Sequence, residues 1–166
     1  MIQIYKREEE SMALEIHRAP DRSAAIIATA FLEEKLTAAV RFKLLPDKDT
    51  LDKLFKPSGP IGAYASKVEM AYLLALFSKE TRDDLLLVGE IRNAFAHWTK
   101  LIDFGSSDIK PICEALTLYT RVFGPKIDRP KPFDKRKARD EFTETISIAA
   151  NLCHSVVATP HHPNYW

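Results

Sequence analysis

The chain is poor in cysteine and glycine and has almost no net charge. Its two cysteines, Cys113 and Cys153, lie far apart with no paired spacing, which excludes a disulfide framework and a cysteine-built zinc site. Both read as buried free thiols. Lys and Arg number 24 against 23 Asp and Glu, a formal charge of +1. That balance excludes the electrostatic signature of a protein that coats nucleic acid, so any RNA or DNA contact must be local. No apolar run approaches the ~20 residues that span a bilayer. The opening Met1-Ile-Gln-Ile-Tyr-Lys-Arg-Glu lacks a signal-peptide apolar stretch, so the expectation is a cytoplasmic protein with no membrane partner. Strict apolar and polar alternation is also missing, which argues against a sheet.

What the chain does have is helical periodicity punctuated by proline and glycine. With 166 residues and 46% hydrophobic content it fits a single domain, residues 1–166, with a core over about 21–157 and a tail at 158–166. Expected helices cover Glu8 to His17, Asp21 to about Leu45, Thr50 to Lys56, Gly62 to Phe77 and Glu80 to about Lys100. A further helix begins at Ser107 or Asp108 and carries Ile112, Ala115, Leu116, Tyr119 and Val122, and the last runs from an Asp134 cap to about Val157. In the Gly62 helix, Tyr64, Val68, Ala71, Leu74 and Ala75 mark the inner face, with Lys67 and Glu69 solvated. The fold class is all-α, an up-and-down helical bundle of about six to seven helices.

The stretch Ile91-Arg92-Asn93-Ala94-Phe95-Ala96-His97 concentrates the polar chemistry. At about 100° per residue, Glu90, Asn93 and His97 fall on one line of the helix, with Arg92 flanking it. An Arg that holds a phosphate and a His that moves a proton are the minimum for metal-free RNA cleavage. The same groups can instead satisfy loop carbonyls and a neighbouring carboxylate at a buried helix end, and the residues alone leave both uses open. A second feature is the basic run Lys126, Arg129, Lys131, Lys135, Arg136, Lys137 and Arg139. Such a run is ordinarily a solvated loop and helix start, and as an RNA-binding groove it would use Lys131, Lys135, Arg136 and Arg139 beside Phe133. His154, His161 and His162 lack co-ligands nearby, so neither a metal nor a small-molecule cofactor is expected.

The spacing from Arg92 to His97 resembles the R-x4-6-H signature of HEPN domains, helical proteins many of which are metal-independent endoribonucleases. A longer likeness runs from Asp21 to Leu152. Asp21-Arg22-Ser-Ala24-Ala-Ile26, Glu33-Glu34, Gly59-Pro60-Ile-Gly-Ala-Tyr64-Ala-Ser66-Lys67, Ala71-Tyr72 and the Ile91 to His97 stretch occur in the order typical of the mannitol operon repressor (MltR-like) family. Ile112-Cys113-Glu114-Ala115-Leu116 and Arg139-Asp140-Glu141-Phe142 resemble its final helices. Family members often carry an acidic residue where Ala94 stands here. That resemblance implies an all-helical negative regulator of gene expression. No basic recognition helix is evident, so the regulator would act through a protein or RNA partner.

Two functions follow as expectations. In the regulator, Arg92, Asn93 and His97 hold two helices or two subunits in register, with Glu90 or Glu33 as counter-charge. In the alternative, an endoribonuclease of HEPN type, the resemblance implies that two copies of the motif meet in a homodimer. There Arg92 binds the phosphate, Asn93 orients the groups and His97 is the general acid or base.

Overall fold

Eight α-helices and the turns between them make up the part of the chain that the computed structural model describes, residues 2–124 and 134–158, with the side chains of 2–9 left aside. They are α1 (Ile2–Arg18), α2 (Asp21–Lys43), α3 (Lys48–Phe55), α4 (Tyr64–Leu73), α5 (Lys79–His97), α6 (Lys110–Glu114), α7 (Leu118–Phe123) and α8 (Lys135–Ala158). No strand occurs among the described residues. Lys131 and residues 159–166 of the expected tail lie outside them. Nor is any described helix long and apolar enough to cross a membrane.

The polar joints fix the helix directions. Arg22 donates from Nη2 to the carbonyls of Trp98 (2.9 Å) and Lys100 (3.1 Å), tying the start of α2 to the end of α5. Asp21 accepts from Arg139 at 2.7 Å and sits 3.1 Å from the Lys135 ammonium, so α2 and α8 start side by side. Tyr64 meets Leu85, and Glu69 faces Arg82 at 3.7 Å, which makes α4 and α5 antiparallel. Thus α2, α4 and α8 run one way and α5 the other. The bundle is built around α2, which packs most extensively against α8.

The apolar stripes meet in one core. Leu32, Leu36 and Val40 of α2, Val68 of α4, Leu85, Val88, Ile91 and Phe95 of α5, and Phe142 and Ile146 of α8 are buried together. Phe95, Phe104 and Phe142 form a tilted chain of rings with centroids 5.0 and 5.3 Å apart. Truncating any of the three to Ala would cost about 3–5 kcal/mol. Both thiols are buried, and desolvation pushes each up to about 12, with Glu141 adding to the effect at Cys113.

Four local expectations are corrected by the structure. The Gly62 to Phe77 helix stops at Leu73, because Ala75 adopts φ 55° and closes a Schellman turn, Leu76 N–H to Ala71 O at 3.0 Å. Ala75 is exposed, and Lys67, expected in solvent, is buried against Glu33 at 2.6 Å. The single helix expected from about residue 108 to 122 is broken into α6 and α7. There the Asp84 carboxylate, buried on α5, accepts both the N–H and the hydroxyl of Thr117 and pins the break.

Candidate functional site

Leu86, Gly89, Glu90 and Asn93 recur at i, i+3, i+4 and i+7, so α5 presents them along one stripe. Opposite this stripe the chain enters α4 through Gly62 and Ala63. The space between, closed at one side by Glu33 of α2, is an open cleft of about 620 Å³ that Arg92 and Tyr64 also line.

Tyr64 shapes the cleft floor. Its hydroxyl donates to the Leu85 carbonyl at 3.0 Å, and a Cβ on Gly89 would stand 2.9 Å from its ring. The α5 backbone therefore needs glycine there for the ring to lie against it. Burial drives the phenol well above its ordinary pKa, and the Glu33 charge adds to that, so Tyr64 is a neutral donor. Arg92 lies half-buried with its guanidinium 6.0 Å from the Tyr64 ring centroid, a cation–π arrangement. Glu33, one expected counter-charge, is taken by Lys67 at 2.6 Å. Among the described residues Arg92 makes no side-chain hydrogen bond or ion pair, and neither do Glu90, Asn93 or His97.

The structure brings Arg92 and Asn93 into one cleft with Glu90, and it leaves His97 outside the lining. His97 is the last residue of α5, exposed, one turn beyond Asn93. The α4 entrance adds donors that the sequence pattern did not reveal. Ala63 is the N-cap without a side-chain hydrogen bond, and the first intrahelical bond runs from Lys67 N–H to Ala63 O. The N–H groups of the first turn, which an α-helix cannot bond internally, therefore begin beside the cleft.

Two residues of the basic run, Lys135 and Arg139, are committed within the molecule, while Lys126 and Arg129 lie outside the described residues. Hydrogen bonds that Lys135 donates to Asp103 and then Asp21 hold its ammonium above the ordinary pKa. Arg139 donates to Ile16 O (2.7 Å), His17 O (3.2 Å), Ala19 O (2.8 Å) and Asp21 Oδ1 (2.7 Å). Arg136 is exposed, and Lys131 lies outside the described residues. A phosphate at Lys135 or Arg139 would have to displace these partners. No group of three or more His, Cys, Asp or Glu side chains among the described residues could hold a metal ion.

Two polar features escaped the sequence reading. One is the Glu33–Lys67 pair; the other is the Asp84 network, in which Arg121 donates to Asp84 at 3.0 Å and to Thr81 at 3.2 Å. A signal for the cleft was present in Gly89, because an isolated glycine inside a helix costs about 1 kcal/mol and usually marks a close approach.

No family model matches the sequence, and no curated protein sequence does. Among solved structures, a chain in the X-ray structure of the MtlR–HPr complex from Escherichia coli matches with a TM-score of 0.67 at 17% identity. The match covers 87% of this chain and 97% of that one. At such identity the likeness establishes architecture alone: this chain has an MtlR-like all-α fold.

Proposed function

We propose that this chain is an MtlR-like regulatory protein, a negative regulator of gene expression that works through a protein partner. The carrying observation is a fold match that spans nearly the whole of both chains and whose counterpart was solved in complex with HPr. An HPr-type protein is accordingly the partner to test. The docking surface in this reading is the Arg92 and Asn93 cleft. Arg92 lines that cleft and makes no hydrogen bond or ion pair among the described residues, so an acceptor on the partner would meet its guanidinium at close to the strength of a charge-assisted bond.

Two features support partner docking over operator reading and over RNA cleavage. Helices α6 and α7 are joined by three residues, as in a helix-turn-helix, but α7 has only six residues and its one basic side chain, Arg121, is bound to Asp84. Within one chain Arg92 and His97 also do not line the same cleft, so one phosphate cannot be placed by Arg92 and reached by His97 from the cleft alone.

Fluorescence anisotropy with labelled HPr of the same organism tests the reading. Saturable binding is expected, weakened at least tenfold, about 1.4 kcal/mol, in Arg92→Ala. Absence of binding, together with RNA cleavage in EDTA that disappears in His97→Ala, would replace the regulator with the ribonuclease.

A further inference from the structure

The cleft beside α4 and α5 is lined by three charged side chains, Glu33, Glu90 and Arg92, and one of them is already spent. Glu33 is bound by the buried Lys67 ammonium at 2.6 Å. Tyr64 adds no charge, because burial and then the Glu33 carboxylate keep its phenol protonated. What remains is one cation and one anion, Arg92 and Glu90, neither of which makes an ion pair or a side-chain hydrogen bond among the described residues. At about 100° per residue they stand about 160° apart around α5, with Gly89, Asn93 and Leu86 between them in that order. The face that α5 turns to the cleft is therefore positive at one edge and negative at the other, with an amide and an apolar side chain between.

The two charges sit in different surroundings. Arg92 is half-buried, its guanidinium 6.0 Å from the Tyr64 ring centroid, and that ring is held by the Leu85 carbonyl and lies against Gly89. A guanidinium already partly shielded by a fixed ring gives up less solvation and less rotamer freedom when an acceptor meets it. Glu90 is exposed. A solvated carboxylate at a rim gains little on contact, because water screens the pair, but it steers an approaching cation before contact is made.

We propose that the cleft reads a pair of opposite charges on the partner protein, an acid that meets Arg92 and a base that meets Glu90, and that the two contacts divide the kinetics. Arg92 sets how long the complex lasts; Glu90 sets how fast it forms and which surfaces are admitted. Asn93, between them, can donate to a carbonyl or accept an N–H of the same segment. A surface of one sign meets a like charge at one edge, and a nucleic acid, negative along its whole backbone, meets it at Glu90. The proposal rests on the partner-docking reading and adds to it the chemistry of the surface that docks.

Stopped-flow association and dissociation of the full chain with labelled HPr of the same organism, at about 20 mM and about 0.5 M salt, test it. Arg92→Ala is expected to raise the dissociation rate about tenfold or more while the association rate stays within about twofold. Arg92→Lys keeps the charge and should recover most of that loss, which a collapsed cleft would not allow. Glu90→Gln is expected to slow association about three- to tenfold at low salt, with dissociation unchanged, and the deficit should vanish at high salt. Glu114→Gln, at an exposed acid of α6 outside the cleft lining, makes the same change in net charge and should leave both rates alone. Faster association in Glu90→Gln would reveal a purely acidic partner surface and overturn the paired charges. So would an unchanged association rate in Glu90→Gln, or an Arg92→Ala effect that falls on association instead of dissociation. In each of these cases HPr still binds and the docking reading stands, whereas a parent chain that does not bind HPr strikes the docking reading and the paired charges with it.

Discussion

Gly89 governs the candidate site more than any charged residue does. Alanine is the better helix former by about 1 kcal/mol, and on an open helix face Gly89→Ala would stabilise. Here the added Cβ meets the buried Tyr64 ring, whose hydroxyl is tied to Leu85. Displacing a packed ring costs about 1–3 kcal/mol, and the lost hydrogen bond adds about 1. Gly89→Ala is therefore expected to lower Tm by roughly 2–10 °C, and a rise would show that Tyr64 does not lie against α5. The same residue shows what the sequence could convey. Glu90, Asn93 and His97 share a helix face by their spacing alone. Where the cleft ends depends on Gly62, Ala63 and Tyr64, some thirty residues earlier, so the exclusion of His97 from its lining could not be read. Lys67 was misplaced for the same reason, since its burial depends on Glu33, from another helix.

At the scale of the element, helix ends carry the information that periodicity lacks. The stop of α4 places Ala75 at φ 55°, where an L side chain costs about 1–2 kcal/mol and glycine costs nothing steric. Ala75→Gly is expected to raise stability by about 0.5–1 kcal/mol in urea denaturation, with no change in m; a loss would mean that the turn is not a Schellman closure. At the start of α3, Asp47 accepts the Thr50 N–H at 2.8 Å. The Thr50 backbone and side-chain hydrogen bonds hold the Asp47 carboxyl below its ordinary range. A carboxyl depressed in the folded state stabilises above its unfolded value of about 4, and that contribution fades as pH falls through the folded value. Asp47→Ala should therefore have a lower urea midpoint than the parent at pH 7, and the two should converge toward about pH 2. A gap that persists in acid contradicts the cap. The existence of the long helices α2, α5 and α8 was legible because their stripes run for five turns or more. The split between α6 and α7 was not, because the buried Asp84 carboxylate draws off Thr117 from a distant helix.

The whole molecule combines a closed core with an open cleft beside α4 and α5. The core joins α2, α4, α5 and α8 through interlocking apolar stripes, and the all-α bundle that those stripes implied is the observed MtlR-like architecture. The cleft beside α4 and α5 is open, and among the described residues its Glu90, Arg92 and Asn93 side chains make no hydrogen bond or ion pair. Regulation through a partner is served by a surface formed before contact, because ordering it on contact would subtract from affinity. The central claim is that this cleft, rather than the basic start of α8, is where the partner sits. Backbone amide chemical-shift mapping during titration with the proposed partner protein tests it most directly. The account predicts shifts confined to residues 62–65 of the α4 entrance and to Leu86 through Asn93 of α5, absent in Arg92→Ala. Shifts centred on Lys135 to Arg139, or a titration that leaves the cleft amides unmoved, would contradict it.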